Sequence, residues 1–300
     1  MLCSFYIAGF PVELVFSRPV DIGRLLPSFC PFHRDLPAES PLFRLTIRDS
    51  FPELPEEVAV LDESVNDMGK VRLLQDAGGY RVELRSEKGR THRMRMNLRM
   101  DAFQAVLCWD DARVGQALSS LLRIACSQAI LRCDAVSIHA SSVYRDGKAY
   151  LFLGKSGTGK STHAALWLKH ISGSGLLNDD NPILRIQDGR VVAYGTPWSG
   201  KTPCYRNLSF PVGGIVRLRQ APENRFIRCE GIEAFVQLLP GCSVIRQDWR
   251  LYETLCDTLV KVTEMVPVAR LDCLPDEAAA RLCLKEITGF SETLSSEIMI

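Results

Sequence analysis

The chain has 300 residues, of which 46% are hydrophobic and 24% charged, a balance that excludes a mainly disordered polymer and gives a sizeable core. Its 36 Lys and Arg against 35 Asp and Glu leave +1, so no global field draws it to nucleic acid or to a membrane surface. At about 150 residues per domain the length points to roughly two domains.

The eleven cysteines contain no C-x-x-C pair, which removes the zinc-ribbon and thioredoxin-type readings. Cys126, Cys256 and Cys283 sit in apolar segments, where a free thiol behaves as a small buried hydrophobe, and the expected compartment is the reducing cytoplasm. The first charged residue is Glu13, so no signal peptide is expected, and no uninterrupted apolar run reaches bilayer-spanning length.

In chain order, residues 1–108 are expected to form a small strand-rich unit. Pro11, Pro19, Pro27, Pro31, Pro37 and Pro41 leave room for short strands but for no long helix. From Val71 the pattern becomes hairpins: Val71–Leu74, a turn around Gly78 and Gly79, Tyr80–Leu84, a turn at Lys88-Gly89, and Thr91–Leu98. In the last of these Met94, Met96 and Leu98 share one face, and Arg93 and Arg95 share a solvated one. A helix spanning Asp110–Leu131 follows, with Ala117, Leu118, Leu121, Leu122, Ala125 and Ala129 on its apolar face, and residues 109–132 are read as a link between units.

Residues 133–300 then read as a mixed α/β unit with antiparallel pairing at its centre. Asp146-Gly147 and Asp188-Gly189 are two-residue hairpin turns. Gly231–Leu239, Trp249–Met265 and Asp276–Ile287 are expected helices, and Val266–Leu271 an expected strand.

The residues Gly154 to Ser161, GKSGTGKS, match G-x-x-x-x-G-K-[ST] at every fixed position. An apolar strand, Ala149–Leu153, precedes them, and Ser161–His170 can open a helix whose N-terminus favours anions. In such a loop backbone N–H groups surround phosphate oxygens, the lysine reaches the terminal phosphates and the hydroxyl ligates magnesium. Gly154, Ser156, Gly157, Thr158, Gly159, Lys160, Ser161 and Thr162 are therefore the candidate nucleotide-binding residues, with ATP and Mg as the cofactors.

Soon after comes Leu176-Leu177-Asn178-Asp179-Asp180, little more than one helix beyond Lys160. Two adjacent carboxylates there suit two jobs, one holding magnesium and one accepting a proton from an attacking hydroxyl. If Arg145 pairs with Lys148 across the first turn, His139 falls opposite Gly154, as a phosphate or proton contact. If Gln187 pairs with Arg190, Trp198 falls opposite Asp179 and the loop Gly195–Lys201 hangs beside the acidic pair. Lys201 and Arg206 then become candidates to neutralise a transferring phosphoryl group.

At these residues the sequence resembles the nucleotide-binding core of HPr kinase and ATP-dependent phosphoenolpyruvate carboxykinase. The likeness rests on the upstream strand histidine His139, the P-loop and the closely following Asp179-Asp180, with Tyr205-Arg206-Asn207-Leu208 a weaker echo of a later HPr-kinase loop. It implies an α/β fold of α+β mixed-sheet type, carrying this core behind the small N-terminal unit. It also implies that Asp179 acts as base toward a serine hydroxyl and that Asp180, with Ser161, holds magnesium.

The function expected is Mg-ATP-dependent phosphoryl transfer to a hydroxyl, a Ser or Thr on a protein or peptide. Carboxykinase-like activity on oxaloacetate is the alternative enzyme reading, and a nucleotide-binding regulator without turnover the alternative of another class. The expected partners are a nucleotide and a protein or peptide acceptor, neither nucleic acid nor membrane, with self-association left open.

Overall fold

The computed structural model describes residues 1–37, 39–51, 58–66, 69–200 and 202–298. They divide into two compact units, Met1–Ile130 and Leu131–Ile300.

The first unit is built on β1 (Leu2–Ile7), β2 (Phe10–Phe16), helix α1 (Ile22–Leu25), β3 (His33–Arg34), β4 (Phe43–Arg48), β5 (Ala59–Asn66), β6 (Gly69–Asp76), β7 (Gly79–Arg85), β8 (Thr91–Asn97) and β9 (Ala102–Val106). These strands form one sheet in the order β3-β1-β2-β4-β9-β8-β7-β6-β5. Alternation decides its faces: Phe43, Leu45 and Ile47 are buried on β4, as are His92, Met94 and Met96 on β8. Helix α2 (Val114–Ala129) lies inside this unit and packs on β4 and β8 with the apolar face read from the sequence.

The β6–β7 turn falls at Ala77-Gly78. Gly79 opens β7 at φ +139°, where a Cβ would sit 2.1 Å from the carbonyl oxygen of Met96 on β8. Leu98 departs from the expected strand. The Asn97 side-chain oxygen accepts the N–H groups of Asp101 and Ala102, which turns the chain and leaves Leu98 exposed. The segment Val114–Cys133 is long and apolar enough by length and composition to cross a membrane, and 61% of that window is buried in the fold, as in a core helix.

The second unit contains β10 (Ala135–Ser137), β11 (Ala140–Arg145), β12 (Lys148–Leu153), helix α3 (Lys160–His170), β13 (Gly175–Asn178), β14 (Ile183–Gln187), β15 (Arg190–Tyr194), β16 (Ser209–Gln220), β17 (Arg225–Cys229), α4 (Gly231–Leu238), α5 (Trp249–Met265), β18 (Val268–Cys273) and α6 (Glu277–Ile298). The strand order is β10-β14-β15-β16-β12-β11-β13, with β18 added beside β16 and β17 beside β18. Both Asp-Gly turns form: Asp146, Gly147, Asp188 and Gly189 all have positive φ, as a tight two-residue hairpin requires.

The expected antiparallel centre is corrected here. β12 pairs with β16 in parallel, and β16 with β18 in parallel, while β11–β12, across Asp146-Gly147, and β15–β16 are antiparallel as expected. Parallel partners are joined by long crossovers and carry no turn signal in the sequence. Helices cover both faces. Leu151, Leu153, Ile215 and Val268 pack with residues of α4 and α5, and Tyr150, Phe152, Val216 and Leu218 with residues of α3 and α6. The C-terminal ends of β12, β16 and β18 thus open together at one edge of a rigid, doubly covered sheet.

Candidate functional site

The loop after β12 leaves that shared edge and enters α3 at once. Gly157 (φ +80°) and Gly159 (φ +103°), the N-cap of α3, occupy left-handed backbone that a side chain would strain. The Thr158 hydroxyl donates to the Lys155 carbonyl at 2.7 Å and closes the turn. Lys160, half-buried, donates from Nζ to the Gly154 carbonyl (3.2 Å) and the Lys155 carbonyl (3.4 Å). Burial pushes its ammonium pKa down, and the charges of Asp180 and Asp179 partly restore it. Ser161 and Thr162 are exposed in the first turn of the helix.

The acidic pair follows β13 at a bend shaped by Asn178, which is fully buried. Its amide oxygen accepts the N–H groups of Asp180 (3.0 Å) and Asn181 (2.9 Å). Its amide nitrogen donates to the Thr196 hydroxyl (3.2 Å) and the Trp198 carbonyl (2.9 Å), drawing in the 195–200 loop. That loop lies against the pair, since a Cβ on Gly200 would sit 2.8 Å from the Asp179 carbonyl oxygen. The β14–β15 ladder stops at Ile183 and Tyr194, so Trp198 reaches the bend through Asn178 and not as a strand partner of Asp179. Lys201 lies outside the described residues.

Asp179 is buried. Its Oδ1 accepts the Ser141 hydroxyl at 2.7 Å, and its Oδ2 has no hydrogen-bond partner among the described residues. Asp180 is less buried. Its Oδ2 accepts from the Asn181 amide at 2.9 Å, and its Oδ1 lies 3.1 Å from Nδ1 of His139. The β11–β12 register runs as expected from Arg145↔Lys148 to Ala140↔Leu153 and ends one residue before His139. There the His139 N–H turns to the Gly241 carbonyl at 2.8 Å, and the ring joins Asp180.

The structure thus brings the loop, Lys160, Asp179, Asp180 and His139 to one end of the sheet. Arg206 is not brought in: it is exposed, and its guanidinium donates to the Tyr144 hydroxyl at 3.3 Å.

Sequence reasoning passed over Ser141, Asn178 and Arg217. Two adjacent serines inside an apolar strand, Ser141 and Ser142, were the available signal for the first. Arg217 is the parallel register partner of Leu153, and its positive charge helps lower the Lys160 pKa. Nothing local in the sequence marks that pairing.

His163 sits under the loop on α3, buried against the Phe152 ring at 4.6 Å and accepting from Trp167 Nε1 at 3.2 Å. Burial lowers its pKa to about 4, against an ordinary 6.5. The unfolded chain therefore binds the proton first as pH falls. The stability tied to neutral His163 is full above about pH 6.5 and is lost progressively on acidification through about 4, with no further loss below. That amounts to about 3 kcal/mol. Urea unfolding of His163→Gln between pH 7 and 4 should show a clearly shallower pH dependence than wild type, and parallel curves would exclude this assignment.

The chain matches no protein-family model and no curated protein. Among solved structures it shows a distant likeness to the HPr(Ser) kinase/phosphatase from Coxiella burnetii, at 15% identity, covering 52% of this chain and 95% of that one, with a TM-score of 0.31.

Proposed function

We propose that the second unit binds Mg-ATP on Gly154–Thr162 and transfers its terminal phosphoryl group to a hydroxyl, a Ser or Thr on a protein or peptide. The observation that carries this reading is the buried Asp179 carboxylate. It is held on one oxygen by Ser141, open on the other, and close enough to Lys160 for its charge to raise the Lys160 pKa. A carboxylate kept dry and half-satisfied is costly unless a proton donor or cation meets it.

The residues fit the cofactor. Gly157 and Gly159 leave the loop backbone open toward an anion, and α3 presents its unpaired N–H groups there. The Ser161 hydroxyl and Asp180 are a donor set suited to magnesium, which takes one or two protein oxygens and completes its shell with phosphate and water. Bound Mg-ATP supplies an activated phosphoryl group with its charge partly neutralised.

The chain does the rest. Lys160 leaves the loop carbonyls for the phosphates. Asp179 Oδ2 takes the proton of the acceptor hydroxyl, and Ser141 keeps that carboxylate from rotating. His139 holds Asp180 in its ligating orientation through the 3.1 Å contact. Catalysis on this reading comes mainly from position and charge.

The test is incubation with terminally labelled ATP, magnesium and a lysate of protein acceptors, with oxaloacetate in a parallel reaction. Magnesium-dependent label in acid-stable protein phosphoester is the expected result. Turnover seen only with oxaloacetate, or nucleotide binding with no transfer in either reaction, would refute the proposal.

A further inference from the structure

On the α4 side of the sheet a cleft of about 660 Å³ runs from loop residues Lys155–Thr158 to Arg217, Arg219, Gln237 and Arg270. Arg217 and Arg219 alternate on β16 and so share a face, and Arg270 on β18 is the direct register partner of Arg217. Like charges placed directly across a ladder repel, so this pairing costs stability unless something negative lies between them.

Among the described residues the carboxylate that pairs with Arg219 and Arg270, Asp272, is largely committed. Asp272 accepts a bidentate pair from Arg219 at 2.7 and 2.6 Å. Arg270 Nε lies 3.3 Å from the same carboxylate yet is buried with no hydrogen-bond partner among the described residues. Among the described residues Arg217 donates to a neutral acceptor, the Gln237 carbonyl oxygen. Two guanidinium charges, with the Lys155 ammonium beside them, therefore face the cleft without a full counter-charge.

We propose that this cleft, which adjoins the Lys160 phosphate cradle and shares Ser156, Gly157 and Thr158 with its loop, is a second anion site that binds a phosphate dianion through Arg217 and Arg270. The dianion is the charge match: a phosphate monoester or free phosphate carries about −1.5 to −2 near pH 7, against the two uncompensated guanidiniums. Guanidinium groups also offer the paired donors that phosphate oxygens accept.

Calorimetric titration of the full chain with inorganic phosphate and, separately, with glucose 6-phosphate tests it. Lys160→Ala should retain phosphate binding in this cleft, while Arg217→Gln and Arg270→Gln should each weaken it by about tenfold or more, as loss of a charge-assisted bond implies. Asp272→Asn removes the competing carboxylate and should tighten binding, a gain that a misfolded variant cannot produce. A stronger response to inorganic phosphate identifies the free ion as ligand, and a stronger response to glucose 6-phosphate a phosphate monoester. Binding abolished by Lys160→Ala, or unchanged in both arginine variants, or weakened in Asp272→Asn, would overturn the proposal.

Discussion

Lys160→Ala will cost the chain its nucleotide affinity and leave the fold intact. Among the described residues the ammonium bonds to the carbonyls of Gly154 and Lys155, both in its own loop. Its removal opens no cavity in the core, because Lys160 is half-buried at the sheet edge. In the nucleotide complex the same group would meet phosphate oxygens, where a charged hydrogen bond is worth about 1.5–3 kcal/mol, or about ten- to a hundredfold in affinity. Calorimetry with Mg-ATP beside a thermal melt reads both halves of the expectation. Wild-type affinity in a variant that melts normally would remove the phosphate-cradle reading.

The two aspartates should separate under the same amide substitution. In Asp179→Asn the amide oxygen can still accept the Ser141 hydroxyl, so the local structure survives. The amide nitrogen then stands where Oδ2 stood and cannot take a proton. Mg-ATP binding should stay near normal while transfer falls by about 10²- to 10⁴-fold, the usual range for loss of general-base help. Asp180→Asn should instead raise the magnesium concentration needed for half-maximal rate, because it would weaken the proposed metal ligand and its contact with His139. A magnesium titration of both variants decides the matter, and superimposable curves would show that the roles are not divided in this way.

Much of the site was legible because its pieces are local or follow short turns. Asp146-Gly147 fixes a register that carries arithmetic from Arg145 to Ala140, and Asp188-Gly189 does the same from Gln187 to Ile183. The arithmetic fails where the ladders end. His139 lies one step past the last pair and follows Gly241 and Asp180, and the Trp198 loop is placed by a side chain, Asn178. What stayed hidden depends on parallel neighbours: Arg217 meets Leu153, and Arg270 meets Arg217, across stretches of chain with no shared turn. Ser141 was hidden for another reason, since a hydroxyl between apolar residues looks the same whether it bonds its own backbone or a buried carboxylate.

The parallel pairings also bear on how the chain is made. Strand β12 leaves the ribosome well before β16, and β16 well before β18, so the central strand waits with an open edge until residue 273 has emerged. An exposed edge of alternating apolar residues is a template for pairing with other chains. Ile215 has no helix over it until α4 and α5 follow, and on the other face Val216 and Leu218 have α3 but lack α6. Nascent or truncated forms ending before β18 would therefore depend on chaperones to stay soluble, although their loop and acidic pair are already synthesised.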